Sequence, residues 1–412
     1  MRILLVNKFH YLNGGSEKYY FELGKLLKEH GNEVAYFSMK DDRNIKTGDK
    51  EYFVEKIDLN TGSKLKALDV IYSKENYKKM QEAIDDFKPD IVHLNNFQRQ
   101  LSASIVDCCK KNNIPMVFTA HDMQAICPAS AMLYKGNICE DCIENGYSSC
   151  IKKSCIKDSK LKSILGVLEA KYYRKNSIYS KIDFIITPSE FLKKQLIKGK
   201  IKYNRIETIY NFVIDANEEK NINDEKNIND EKYAFYFGRL SIEKGILNVL
   251  KSIKQLNSGK LFIAGEGPEK ENIEKFIKEN NLEDRVKMVG YLKQEQVKEY
   301  IKKSRFVVVP SIWYENCPYS ILETMEIGKP IIGSKIGGIP ELIEDKKNGF
   351  VYEYNDINEL AEKMKILFDD NEIANQQGKM SRKLYKEKYS ENIYYNKILK
   401  IYTNLIKERE NV

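Results

Sequence analysis

Two series of short apolar runs, each run followed by a longer amphipathic stretch, fill this 412-residue chain. Such alternation marks parallel strands joined by crossover helices: a strand covered on both faces must be apolar throughout, whereas its covering helix shows one apolar stripe. The first series has its runs at Ile3 to Val6, Val34 to Phe37, Ile91 to Leu94, Met116 to Thr119 and Phe184 to Thr187. Between them, Glu17 to His30 places Tyr20, Leu23, Leu26 and Leu27 at helical spacing, and Leu101 to Lys111 reads similarly. The second series runs through Ala234 to Phe237, Lys260 to Ala264, Val286 to Val289, Phe306 to Val309, Pro330 to Gly333 and Phe350 to Tyr352. From Glu219 to Lys232, Glu-Lys-Asn-Ile-Asn-Asp repeats twice and restarts, with almost nothing to bury, which predicts a polar linker. The expectation is therefore two doubly wound α/β domains, 1–215 and 233–388, joined by a linker at 216–232. A closing helix at 389–412, with Ile393, Tyr394, Ile398, Ile401, Tyr402 and Ile406 along one side, is expected to pack back toward the first domain.

Composition narrows the function class. Lys and Arg exceed Asp and Glu by 68 to 60, a net +8 too modest for this length to indicate a nucleic-acid binder. The apolar start, Ile3 to Val6, is too short for a signal peptide, and no apolar span approaches ~20 residues. The chain thus reads as cytoplasmic, where spaced cysteines are metal ligands or free thiols rather than disulfides.

The chemistry-bearing residues follow the strands of the second series. Glu315 and Glu323 stand eight residues apart in Ser-Ile-Trp-Tyr-Glu-Asn-Cys-Pro-Tyr-Ser-Ile-Leu-Glu, directly after the run Phe306 to Val309 and Pro310. The first lies in a turn-prone stretch and the second in the first turn of a predicted helix, so both can meet a ligand with hydroxyls at two ends. After the strand ending at Phe237, Gly238-Arg239 and Lys244 open a strand-to-helix turn. Arg239 offers a fork for phosphate oxygens and Lys244 a compact charge. Taken alone, an ordinary turn with solvated cations fits the same residues. Gly265-Glu266-Gly267 follows the next strand and allows close approach of a flat or anionic group.

Together, Gly238-Arg239, Lys244, Gly265-Glu266-Gly267 and the Glu315/Glu323 pair resemble the retaining glycosyltransferases of family 4, whose GT-B fold sets two Rossmann-like domains across a cleft. The resemblance implies that Arg239 and Lys244 hold a nucleotide diphosphate, Glu315 the donor sugar and Glu323 the ribose. It also implies that Gly14 and Gly15, before the first helix, lie by the diphosphate and sugar, and that His121 lies near the donor sugar, with Asp122 binding acceptor or orienting the histidine. Backbone N–H groups around Asn316, Cys317 and Tyr319 suit a β-phosphate, while Pro318 donates nothing. Family members carry glycines after the first glutamate; here Asn316, Cys317 and Pro318 stand instead. The expected reaction is hexosyl transfer from a nucleotide-diphosphate sugar to a sugar or lipid-linked sugar acceptor by front-side substitution, with Glu315 as base or nucleophile the weaker alternative. Without an Asp-x-Asp motif, transfer is expected to need no metal. A dinucleotide-dependent oxidoreductase is disfavoured because Asn7 to Gly15 lacks G-x-G-x-x-G. A non-catalytic nucleotide-sugar-binding or scaffold protein is the alternative from another class.

Two segments stand apart. Five of the eight cysteines fall in an insertion at 127–155, and Cys139, Cys142, Cys150 and Cys155 have spacings compatible with a structural zinc site, free thiols being the other reading. Ile151 to Lys181 carries nine Lys or Arg against Asp158 and Glu169, with Leu161, Ile164, Leu165 and Leu168 as an apolar stripe. The stripe suits either the protein core, with a solvated basic face, or an anionic membrane at the cytoplasmic face.

Overall fold

The computed structural model describes residues 1–57, 66–215 and 233–410, so the polar repeat at 216–232 lies outside the described residues. The chain divides into two compact units. Unit 1 comprises Met1–Tyr134, Cys139–Asn211 and Tyr394–Val412; unit 2 comprises Phe212–Ile393 with Lys135–Ile138.

Unit 1 is built on β1 (Arg2–Val6), β2 (Glu33–Met39), β3 (Lys50–Val54), β4 (Ile91–Leu94) and β5 (Met116–Thr119). After a separate two-stranded pair, β6 (Leu133–Tyr134) and β7 (Asn137–Ile138), the sheet gains β8 (Phe184–Thr187) and β9 (Ile206–Thr208). The order is β3-β2-β1-β4-β5-β8-β9, all parallel. Strand order reverses between β1 and β4, so the loops leaving those two strands diverge and open a crevice at their carboxyl ends.

Unit 2 repeats the design with β10 (Tyr233–Phe237), β11 (Lys260–Ala264), β12 (Val286–Gly290), β13 (Phe306–Val309), β14 (Ile331–Ser334) and β15 (Gly349–Tyr352). Its order is β12-β11-β10-β13-β14-β15, again all parallel, with the reversal between β10 and β13. Ala234, Leu261, Ile263, Phe306, Val308 and Ile332 from the strands pack with Leu250, Ile253, Met364 and Leu367 from the covering helices in one core.

All eleven apolar runs become strands; in the two large sheets β3 and β9 were not expected, nor was the separate pair β6 and β7. Both β3 and β9 are edge strands whose residues are mostly half-exposed, so neither needs an apolar run. The closing helix, Glu391–Glu410, is anchored within unit 1 by Tyr394 to Tyr19, by Tyr402 to His93, and by Arg409 to Asp183 at 2.7 Å.

Candidate functional site

The reversal point of unit 2 is occupied by the residues singled out in the sequence. β10 delivers Gly238 and Arg239, a short 3-10 turn at Ile242–Lys244 follows, and β13 delivers the loop 310–318. Backbone hydrogen bonds stitch these loops together: Ile312 N–H to the Glu243 carbonyl at 2.9 Å, Leu240 N–H to Glu266 at 3.0 Å, and Gly338 N–H to Glu315 at 2.7 Å. Two glycines are required for that closeness. At Gly245, φ is +68° and a Cβ would fall 2.0 Å from the Pro310 carbonyl oxygen; at Gly265, φ is +137° and a Cβ would fall 1.9 Å from that of Gly238.

This scaffold places Glu315 in a nearly water-free position, 8% exposed. Its Oε1 accepts from Lys244 Nζ at 2.6 Å, Ser311 Oγ at 2.8 Å and Trp313 Nε1 at 2.9 Å. Burial disfavours the charged carboxylate, but the Lys244 charge and these three hydrogen bonds outweigh it and hold the carboxyl below its ordinary range. The Lys244 ammonium also sits 5.5 Å from the centre of the Trp313 ring. Arg239 is exposed, and its guanidinium has no hydrogen bond or ion pair among the described residues. Two cations and an ionised carboxylate therefore lie on two adjacent loops at the carboxyl edge of one sheet, a set able to grip phosphate oxygens and hydroxyls together.

Other expected members of the set take different places. Glu323 is buried, but the helix begins only at Tyr319, so the carboxylate stands in the second turn rather than the first. Pro318 takes the cap position with no side-chain cap, and its carbonyl accepts from Ile321 N–H at 3.1 Å. Cys317 is buried, whereas Asn316 and Tyr319 are half-buried. The Glu266 side chain turns to the first residue of the following helix, Lys270–Glu279, pairing with Lys270 at 3.1 Å, and its backbone carbonyl serves the loop contact.

In unit 1, Gly14 caps the helix Gly15–Glu29 in extended conformation, φ −179°, and both glycines are exposed. A Cβ on Gly14 would meet nothing nearer than Glu17 Oε2 at 3.7 Å. His121 follows β5, and its Nε2 is 2.9 Å from Asn95 Oδ1 at the end of β4. The Tyr19 ring stands edge-on to its imidazole at 4.8 Å. Burial, aided by the Lys8 charge, pushes the His121 pKa down to about 3, so the ring is neutral near pH 7. Asp122 accepts from Gln124 N–H at 2.8 Å, which caps its own turn. Sequence reasoning missed what lies beneath: Tyr19 shares hydrogen bonds with Thr119 Oγ1 at 3.0 Å and with Tyr394, while His93 bonds Thr119 at 2.8 Å and Tyr402. Trp313 and Ser311 were also missed, although their spacing of two and four residues from Glu315 was visible.

The cysteines do not form the expected set. Thiol hydrogen bonds link Cys127 to Cys142, Cys142 to Cys150 and Cys150 to Cys155, a chain that draws in Cys127. Cys139 instead meets the Lys153 ammonium at 3.4 Å. Among the described residues no three His, Cys, Asp or Glu side chains are grouped to hold a metal ion. The linked thiols are therefore Cys127, Cys142, Cys150 and Cys155, with Cys139 of the expected set turned to Lys153. The basic segment also departs from a core-facing stripe. Helix Lys160–Lys175 buries Ser163, Gly166, Val167 and Tyr173, leaving Leu161 74% and Leu168 45% exposed.

Two family descriptions match this chain, Glycosyltransferase Family 4 over residues 13–216 and Glycosyl transferases group 1 over residues 217–384. The chain belongs to the family 4 glycosyltransferases. A Klebsiella pneumoniae protein, "Uncharacterized 42.6 kDa protein in cps region", is 28% identical over 390 residues, 90% of this chain and 95% of that protein. The alpha-D-kanosaminyltransferase of Streptomyces kanamyceticus is 31% identical over 159 residues, spanning 38% of this chain and less than half, 41%, of that relative. The fold is GT-B. Sucrose-phosphate synthase from Thermosynechococcus elongatus superposes with a TM-score of 0.74 at 20% identity, covering 99% of both chains. Anabaena HepE, solved in complex with UDP, gives 0.70 at 15% identity over 98% of this glycosyltransferase and 100% of that chain.

Proposed function

We propose that this glycosyltransferase moves a hexosyl unit, with retention, from a nucleotide-diphosphate sugar to a sugar or lipid-linked sugar acceptor in polysaccharide or glycoconjugate assembly. The observation that carries the reading is the Lys244–Glu315 contact at the reversal point of unit 2, with Arg239 exposed beside it. Arg239 and Lys244 take the diphosphate, Glu315 the sugar hydroxyls, Glu323 the ribose, and the amides around Asn316 to Tyr319 the β-phosphate. His121 and the exposed Gly14 and Gly15 are the unit 1 residues assigned to the donor. The acceptor hydroxyl oxygen bonds the anomeric carbon as the bond from that carbon to the phosphate oxygen breaks, and the departing phosphate takes the acceptor's proton. The protein supplies position and charge; in this reading Arg239 and Lys244 neutralise the leaving group without a metal. HepE's complex with UDP supports a uridine donor as the first to try.

The test is a screen of nucleotide sugars that follows nucleoside diphosphate release with and without acceptor. Turnover with one donor supports the reading; donor binding without turnover in any acceptor mixture leaves only a nucleotide-sugar-binding protein.

The same reading places the enzyme at the inner face of a membrane. No helix among the described residues is long and apolar enough to cross one. The outward Leu161 and Leu168, flanked by exposed Lys160, Lys171 and Lys175, suit peripheral contact with anionic lipid. Flotation with anionic but not neutral liposomes, lost in Leu161→Ser/Leu168→Ser, is the expected outcome.

A further inference from the structure

The two oxygens of Glu315 are held unequally. Oε1 accepts three hydrogen bonds, from Lys244, Ser311 and Trp313, whereas Oε2 accepts none from the described residues. Three donors on one oxygen fill its lone-pair sites and stop rotation of the carboxylate, leaving Oε2 as its only open acceptor.

The three donors differ in kind. Ser311 and Trp313 belong to the same loop as Glu315, and that loop is itself pinned: Ser334 Oγ donates to the Ser311 carbonyl at 2.6 Å and Gly338 N–H to that of Glu315 at 2.7 Å. Lys244 comes from the neighbouring loop on a long stem, one-quarter exposed, and its ammonium lies over the Trp313 ring. A diphosphate arriving at this loop offers that ammonium more negative charge than one carboxylate does. If Lys244 leaves, an ionised, buried Glu315 keeps only the indole N–H and the Ser311 hydroxyl.

We propose that Trp313 is a positioning residue. Its indole N–H, with Ser311, holds Oε1 so that Oε2 alone meets the donor sugar, while Lys244 exchanges from Glu315 to the donor's diphosphate. The inference rests on the donor-site reading and deepens it: the carboxylate is monodentate toward the sugar, and the indole keeps it aimed after its counter-charge departs.

Trp313 is the chain's only tryptophan, so its emission reads the exchange. UDP added to the wild-type enzyme is expected to change that emission along a saturable curve matching calorimetric binding, because the ammonium leaves the ring face. UDP binding with unchanged emission overturns the exchange; failure of UDP, GDP, ADP and dTDP all to bind overturns the underlying donor reading instead. Trp313→Phe keeps a ring and removes the N–H. It is expected to lower kcat about tenfold, the loss of one hydrogen bond to a charged group, with UDP affinity within about twofold of wild type. It is also expected to move the acid limb of the kcat profile upward, since a donor that favours the ionised carboxylate is gone. Ser311→Ala is expected to act in the same direction. An unchanged kcat and acid limb in Trp313→Phe, or equal losses of kcat and UDP affinity, overturns the positioning role.

Discussion

In unit 2 the groups around Glu315 come from two loops on neighbouring strands, 238–245 and 310–318, with Trp313 and Ser311 only two and four residues from the carboxylate they hold. In unit 1 His121 rests on Asn95 and Tyr19, and Tyr19 is tied to Tyr394 across 375 residues of sequence. The first site is local chemistry set on a rigid turn. The second is a polar chain through the core, in which each hydroxyl depends on partners drawn from distant elements. A change in the first region should therefore alter catalysis with little effect on folding, and a change in the second should alter both.

The largest expected effect tests the first half of that statement. Glu315→Ala is expected to cut turnover by about a thousandfold, the upper range for losing one preorganised charge-bearing contact, with a urea midpoint close to wild type. Retained turnover in both Glu315→Ala and Lys244→Ala would falsify the site assignment. His121→Ala should cost about a hundredfold in turnover while leaving UDP affinity unchanged, since His121 is assigned to the donor sugar, which UDP lacks. An equal drop in UDP affinity would remove that separation.

Tyr402→Phe probes the buried chain. It leaves His93, fully buried between Tyr402 and Thr119, with one nitrogen unpartnered, and should destabilise the fold by about 2 kcal/mol by chemical denaturation. No loss of stability would mean that the polar chain is slack. An effect of similar size is expected in pH. Burial, with the neighbouring His121, holds His93 down at about 3 in the folded protein, against an ordinary 6.5. Between those values the unfolded chain binds a proton that the folded one does not, so stability falls as pH falls from 6.5 toward 3, by up to about 1.4 kcal/mol per unit from this residue. The decline should be shallower in His93→Asn, compared by urea midpoints at pH 6.5 and 4.5.

The same contrast explains what could be read from the chain in advance. Central strands such as Ile91–Leu94, Met116–Thr119 and Phe306–Val309 are buried on both faces and announce themselves as apolar runs. Edge strands β3 and β9 have no such obligation and were silent. Arg239, Lys244 and Glu315 were legible because each stands on a loop that directly follows a recognisable apolar strand. Tyr19 and Tyr394 were not, because a tyrosine on an apolar helical face looks the same whether its hydroxyl is bonded or not. The outward turn of Leu161 and Leu168 was hidden for a related reason: Ser163, Gly166 and Val167 make a narrower face that packs closer, and periodicity alone favours the larger side chains. Cysteine spacing, finally, could not show that Lys153 holds Cys139 while Cys127 returns to the others.

Gly14 offers a measuring instrument. Its extended backbone suits any residue, and the space where a side chain would grow is bounded by the protein only at the distance of an ordinary contact. Alanine, serine and valine there form a graded series of probes that reach outward without disturbing the fold. With the donor placed beside Gly14 as proposed, the effect of such a series on substrate use would report the clearance between this backbone and that donor, a steric ruler at the start of the first helix.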